Sequence, residues 1–383
     1  MPAYLDLSPT TDAFQLTGDP ISVVTTGAPW TGSVRHLTIG LVNNMPDGAL
    51  ESTERQFLSL LDAASGGLNI RLRLFSMPDI CRKGSAASHV RKFYSDVEIL
   101  WNSGLDGIIV TGREPVASNL VDEPYWESFT MLVEWAREHT YSAVWSCLAA
   151  HAAVLHCDGI GRIKSSTKKC GIFDCSRAED HRLIAGLGPW FKLPHSRWNG
   201  VSETALKDRG YRVLSRSEVG ADVFVKQHQS LFVFFQGHPE YDSETLMLEY
   251  RRDVGRFLKG ESKIYPSMPR HYFDINTSAA LEAFREQALR EPHRELLAKL
   301  YGLLLQAKTE ASWRTDAIQM YGNWLEHIAT QKGLRFYTEN KVVRSDWNKT
   351  SVVPIRAVNA SSSSYLERHV ASEERPRRTA SGH

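Results

Sequence analysis

The sequence predicts an α/β fold in which a mostly parallel sheet is sandwiched by helices. Three observations carry that expectation. Apolar runs of strand length recur at Leu37–Val42, Ile70–Phe75, Leu105–Val110 and Ala143–Ser146, each bounded by turn or polar residues. Segments with helical periodicity separate them, and that alternation builds parallel sheets covered on both faces. Two of the runs end directly in residues able to do chemistry, and sites in such sheets gather at the carboxyl ends of strands.

Residues 1–34 read as a polar arm punctuated by Pro and Gly, with weak periodicity. Leu37-Thr-Ile-Gly-Leu-Val42 is the first buried strand, followed by a loop at Asn43-Asn-Met-Pro46. A helix opening at Thr53-Glu54 places Phe57, Leu60 and Leu61 on one face. Ile70–Phe75 alternates as a strand should. Leu105–Val110 is the next strand and ends at Thr111-Gly112. Helical residues run from about Tyr125 to Arg137, and Ala143–Ser146 leads straight into Cys147.

Past about residue 160 the pattern becomes mixed. Phe224-Val225 and Ser230–Phe235 read as a hairpin-like strand pair, the second delivering Gly237-His-Pro-Glu240. Residues 277–308 read as a helical pair: Leu281, Phe284 and Ala288 share one face, Leu297, Leu300 and Leu304 another, and Pro292 separates them. Beyond about Lys349, a serine run at 361–364 and Arg375-Pro-Arg-Arg378 predict a disordered tail. The expected organisation is an arm over 1–34 and a catalytic domain over 35–275. A helical insertion with a closing segment follows over 276–330, then a largely disordered extension over 331–383.

Composition narrows the function classes. The chain has 383 residues, 42% hydrophobic and 23% charged, with a formal net charge of +1. That profile suits a globular protein and gives no pull toward nucleic acid or membrane. Met1–Gly18 lacks the apolar core of a signal peptide, so a cytoplasmic location is expected. The five cysteines (Cys81, Cys147, Cys157, Cys170 and Cys175) are odd in number and irregularly spaced, which is no disulfide framework. Cys170 and Cys175 lack a matching pair downstream, so no metal site is expected. Most of these thiols should be small buried hydrophobes.

Cys147 is the exception. It follows a strand and precedes Leu148-Ala-Ala-His-Ala-Ala-Val-Leu155, rich in helix formers. A strand–nucleophile–helix turn projects the side chain from the sheet edge and sets the sulfur at a helix N-terminus, where backbone dipoles favour an anion. Backbone N–H groups of Leu148 and of the Gly112–Arg113 loop are placed to hold a developing oxyanion. His238 and Glu240, two apart in an extended segment, point the same way, and a carboxylate beside an imidazole holds the tautomer that a base needs.

These residues carry a resemblance. Gly237-His-Pro-Glu-Tyr-Asp242 together with Cys147 at an elbow resembles the class I glutamine-amidotransferase-like (flavodoxin-like) fold, and more narrowly the homoserine O-succinyltransferase and O-acetyltransferase family. The similarity runs from about Leu37 to Leu325. It includes Asn43-Asn-Met-Pro46 with Thr53-Glu-Arg-Gln56, Thr111-Gly112 with Tyr125-Trp126, Pro194-His-Ser-Arg197, and Trp313-Arg314 with Asn323-Trp-Leu325.

The resemblance implies Cys147 as acyl-thioester nucleophile, His238 as general base and Glu240 as its orienting carboxylate. It places Lys168, Ser196 and Arg252 at substrate positions; Arg252 would grip an amino-acid carboxylate. It implies succinyl-CoA or acetyl-CoA as co-substrate with no bound cofactor, L-homoserine or a similar amino alcohol as acceptor, a role in methionine biosynthesis, and a homodimer.

Several positions depart from the family. Leu148 and His151 stand where Trp and Gln are common, and Asp47-Gly48 replaces lysines after Met-Pro. In the family a glutamate between the Thr-Gly turn and Tyr-Trp goes with acetyl transfer and a glycine with succinyl transfer. The nearest residues here are Val116 and Ala117; no glutamate fills the position, which points to succinyl. An acetyl donor, a serine-like acceptor, a glutamine amidohydrolase and a non-catalytic paralogue stay open as alternatives.

Overall fold

The computed structural model describes residues 3–7, 23–25 and 36–333. The tail expected past Lys349 lies outside them. The elements run β1 (Ala3–Leu7), β2 (Val23–Thr25), β3 (His36–Val42), α1 (Leu50–Ala64), β4 (Asn69–Ser76), α2 (Gly84–Phe93), β5 (Ser95–Asp96), α3 (Val97–Trp101), β6 (Gly107–Thr111), α4 (Trp126–His139), β7 (Ser142–Ser146) and α5 (Leu148–Asp158). Then follow β8 (Ile163–Arg177), β9 (Trp190–Gly200), α6 (Glu203–Asp208), β10 (Arg212–Ser217), β11 (Gly220–Gln227), β12 (Leu231–Phe235), α7 (Thr245–Leu258), α8 (Ile275–Arg290), α9 (Leu296–Leu305) and α10 (Arg314–Gln331).

The strands form one sheet in the order β2-β1-β4-β3-β6-β7-β12-β11-β10-β8-β9, with β5 beside β4. Pairings from β2 through to β12 are parallel, and those among β12, β11, β10, β8 and β9 are antiparallel. The predicted α/β class holds, and the mixed reading past residue 160 is this antiparallel half. The arm conceals two strands, since β1 pairs with β4 and β2 with β1. Three to five residues show no measurable period, so the sequence alone could not reveal them.

Side-chain parity sorts the two faces. Ile108, Val110, Ala143 and Trp145 join α4 and α5 in one buried cluster with Phe129, Leu132 and Ala149. On the other face α10 lies against β6 and β7: Trp324 donates its indole N–H to Ser142 Oγ at 2.9 Å. A Cβ at Gly107 would stand 2.7 Å from Ile328 Cδ1, so glycine lets this helix settle on the sheet. Helix α1 packs beside α10 and buries Phe57, Leu60 and Leu61 completely, each such side chain contributing roughly 1.5–3 kcal/mol. Helix α1 begins at Leu50, three residues before the expected start.

The predicted helical pair is present as α8 and α9, packed on each other with Leu281, Phe284, Ala288, Leu300 and Leu304 buried. Asp274 caps α8 by accepting from the Asn276 and Thr277 amides at 2.9 Å. No helix among the described residues is long and apolar enough to cross a membrane.

Candidate active site

Strand β7 ends at Ser146, and the next residue turns the chain abruptly. Cys147 has φ 51° and ψ −108°, a conformation that costs a non-glycine residue about 1–3 kcal/mol and persists only where its surroundings enforce it. The enforcement is visible. Strands β7 and β12 pair in register up to Ser146–Phe235, and the Cys147 amide donates to the Phe235 carbonyl at 2.7 Å. Helix α5 starts at the following residue and closes on Gly159, whose left-handed φ of 69° lets its amide reach Leu155 O at 2.9 Å.

The turn after the neighbouring strand carries His238 and Glu240. After β12, residues 236–240 form a turn, where the sequence reading expected an extended segment. The turn brings His238 and Glu240 together all the same: Nδ1 lies 2.8 Å from Oε1, with both side chains buried. The Cys147 sulfur lies near enough to the ring to act on it electrostatically. Burial alone would lower the His238 pKa. The Glu240 carboxylate, hydrogen-bonded to the ring, and the Cys147 sulfur outweigh it and hold the ring well above its ordinary 6.5. The His238 amide is anchored on Pro194 O at 2.8 Å, and its ring stacks on Tyr241 with centroids 4.2 Å apart.

The turn after β6 faces the start of α5. Asn44 holds it, donating from its amide to Thr111 Oγ1 at 2.8 Å and from Nδ2 to Thr111 O at 3.0 Å. A Cβ on Gly112 would stand 2.9 Å from the Leu148 nitrogen. Glycine therefore leaves open the space in front of that amide, as an oxyanion hole made by Leu148 and the Gly112–Arg113 loop requires. Val116 is 71% exposed.

The substrate positions cluster around an acid that the sequence reading missed. Glu249 on α7 accepts from Tyr241 Oη at 2.7 Å, from Lys168 Nζ at 3.4 Å, and from Ser196 Oγ. Burial would raise its pKa, but Lys168, Arg252 and the hydrogen bonds from Ser196 and Tyr241 hold it below the usual carboxylate range. Lys168 also reaches Asp253 at 2.9 Å, and the half-exposed Arg252 rests on the same Asp253 at 2.9 Å. Glu249 and Asp253 lie four apart on one face of α7, a spacing that marks them as a pair. Tyr241 links this cluster to the His238 ring, so the two halves of the site adjoin.

Beneath the catalytic turn sits a second buried group. Arg197 donates from Nε to His195 Nδ1 at 3.2 Å, which leaves the proton on Nε2, facing Asp222 Oδ1 at 3.2 Å. Cys175 completes a set whose donor atoms lie within 4.8 Å of one another, and His195 Nε2 and Asp222 Oδ2 are buried without hydrogen-bond partners. The Arg197 pKa is lowered by burial, with Asp222 and the Cys147 sulfur acting the other way. His151 is buried with Nε2 on Gln236 Oε1 at 2.8 Å, in the turn after β12, and burial pulls its pKa down to about 4. Among the other cysteines Cys170 and Cys175 are buried, Cys157 is half-buried and Cys81 is exposed, so the expected burial holds for two of the four.

Comparison with known proteins places the chain in a family. A family model described as HTS, homoserine O-succinyltransferase, matches residues 7–334. A homoserine O-succinyltransferase of Bradyrhizobium japonicum is 47% identical over 297 residues, covering 76% of this chain and 90% of that one. Another, from Rhodopseudomonas palustris, is 44% identical over 302 residues, covering 79% and 91%. Among solved structures, a glutamine amidotransferase from Methylobacillus flagellatus aligns with a TM-score of 0.43 at 15% identity, over 77% of this chain and 96% of that one. With most of its length matched by the family model and by relatives at this identity, the chain belongs to the homoserine O-succinyltransferase family.

Proposed function

We propose that this chain transfers a succinyl group from succinyl-CoA to the hydroxyl of L-homoserine, as a step of methionine biosynthesis, through a thioester on Cys147. The observation that carries the reading is the Cys147–His238–Glu240 line: a strained elbow cysteine within electrostatic reach of a buried imidazole whose Nδ1 lies 2.8 Å from a carboxylate.

In the first half-reaction the Cys147 proton passes to His238 and the sulfur attacks the donor's thioester carbon. The Leu148 amide and the Gly112–Arg113 loop stabilise the tetrahedral oxyanion. The bond to the coenzyme sulfur then breaks, and the imidazolium returns the proton to the departing thiolate. In the second half-reaction His238 takes the proton of the homoserine hydroxyl as its oxygen attacks the acyl carbon. The Cys147 sulfur leaves and pairs again with the imidazolium. One elbow and one oxyanion site thus serve both steps.

The acceptor is a zwitterion and needs a group of each sign. Glu249 suits its ammonium and Arg252 its carboxylate, with Tyr241 placing both next to the base. Lys168 and Ser196 position Glu249 and supply further donors.

Protein mixed with succinyl-CoA alone should gain the mass of one succinyl group and release one equivalent of coenzyme A. The adduct should be absent in Cys147→Ala and should vanish on adding homoserine, with O-succinylhomoserine appearing. Absence of any adduct together with absence of product would overturn the reading.

A further inference from the structure

Beside the oxyanion turn is a small cavity whose wall includes Asn44, Gly112, Arg113, Tyr125, Phe129 and Leu148. It shares Gly112 and Leu148 with the turn that faces the nucleophile, so an acyl group held there has this wall as its neighbour. Two arginines bear on this region. Arg113 lines it directly. Arg162, just before β8, donates from one Nη to the Ser118 carbonyl at 2.8 Å and so clamps the loop that Arg113 begins. Both guanidiniums lie within electrostatic reach of the Tyr125 hydroxyl, and Arg162 also acts on His151, four residues along α5 from Cys147.

Neither cation is satisfied. Arg113 Nε and Arg162 Nη1 are buried without an acceptor, and neither arginine forms an ion pair among the described residues. The acids nearby are engaged or turned elsewhere. Glu114 faces Arg256 at 3.8 Å. Glu123 accepts the Ala117 amide at 2.7 Å through Oε1, and its buried Oε2 meets no donor. Unused donors on buried cations are costly until an anion fills them, and a guanidinium fork matches a carboxylate.

The donor in the reading above carries such a group: the succinyl chain ends in a free carboxylate two methylenes beyond the thioester carbon, where an acetyl or butyryl chain has none. We propose that Arg113 and Arg162 form the receptor for that carboxylate and set the acyl selectivity of the transfer. The assignment rests on the succinyl-transfer reading. It keeps the donor carboxylate apart from the acceptor carboxylate, which falls to Arg252 at the α7 side of the site.

The test compares succinyl-CoA with its neutral isostere butyryl-CoA in single-turnover acylation of Cys147, read as coenzyme A release. The chains compared are wild type, Arg162→Met, Arg162→Lys and Arg113→Met. The succinyl-to-butyryl rate ratio should fall by about tenfold or more in each Met variant, as loss of a charge-assisted hydrogen bond implies, and Arg162→Lys should recover part of it. A ratio unmoved in both Met variants, with the two donors slowed alike, overturns the receptor.

A second measurement needs no turnover. Free succinate should protect Cys147 of the wild-type chain from alkylation better than butyrate does, and this preference should disappear in Arg162→Met, the variant to rely on if Arg113→Met fails to fold. Equal protection by the two acids also overturns the receptor. A wild-type chain that is protected by succinate but never succinylated sinks the parent reading alone; one that is succinylated with no charge preference sinks only this inference.

Discussion

The indole N–H of Trp313 donates to the main-chain carbonyl of Tyr241, 3.2 Å away. Trp313 is fully buried at the head of α10, and Tyr241 lies three residues after His238 with its ring stacked on the imidazole. A residue near the end of the described chain therefore holds the turn that presents His238.

Trp313→Phe keeps most of the packing and removes this bond. Leaving a buried carbonyl without its donor should cost about 1–3 kcal/mol, measurable as a lower midpoint in urea. Because the turn loosens, kcat should fall as well. A variant that loses stability while keeping full kcat would show that the bond supports the fold only.

Glu240→Gln retains the shape of the side chain and removes its charge. By analogy with triads whose carboxylate is neutralised, kcat should fall by roughly 10³-fold. The pH profile should move too. Deacylation needs a neutral ring, so kcat should rise with pH through the raised His238 pKa, and losing the Glu240 charge should shift that rise to lower pH. Stability carries the same sign. Folding favours the protonated ring, so its contribution is complete below pH 6.5 and fades as pH climbs through the raised value. An acidic limb that stays put would count against the pairing.

Gly112→Ala would place a Cβ 2.9 Å from the Leu148 nitrogen and 2.6 Å from its Cβ. Blocking one oxyanion donor should lower kcat by about 10²–10³-fold, more than any change in KM. Burst kinetics of coenzyme A release would detect it. A variant with a normal burst rate would move the oxyanion site elsewhere.

Glu249→Gln separates the two half-reactions. Acceptor binding should weaken, raising KM for homoserine by about tenfold or more, while acylation of Cys147 by the donor changes by less than about threefold. Equal losses in both steps would mean that Glu249 supports the catalytic turn through Tyr241 rather than the acceptor.

Much of this was legible in the sequence because buried parallel strands read as unbroken apolar runs. Val42, Val110 and Ser146 each end such a run beside a site residue. Cys147, His238 and Glu240 stood out for the same reason: each follows a strand end that periodicity locates well. Strands β1 and β2 were hidden by their shortness. Glu249 was hidden by its setting, since Glu249 and Asp253 lie in a helix crowded with Arg251, Arg252 and Arg256, where an acid reads as one more solvated charge. Only the fold buries Glu249 against Lys168 and Ser196. The Arg197–His195–Asp222 line escaped notice because Asp222 comes from β11 and the other two from β9, and no local spacing relates them.

The ladder between β7 and β12 has a consequence for the enzyme's history. The ladder fixes Cys147 at the end of β7, and the His238 amide is held on Pro194 O in the turn after β12, so the placement of both rests on backbone bonds. The groups that would greet the acceptor stand apart, on α7 and the antiparallel half of the sheet. Lineages can therefore retailor which alcohol is welcomed, or which acyl chain is admitted at the Arg113 side, without disturbing the bond-making pair.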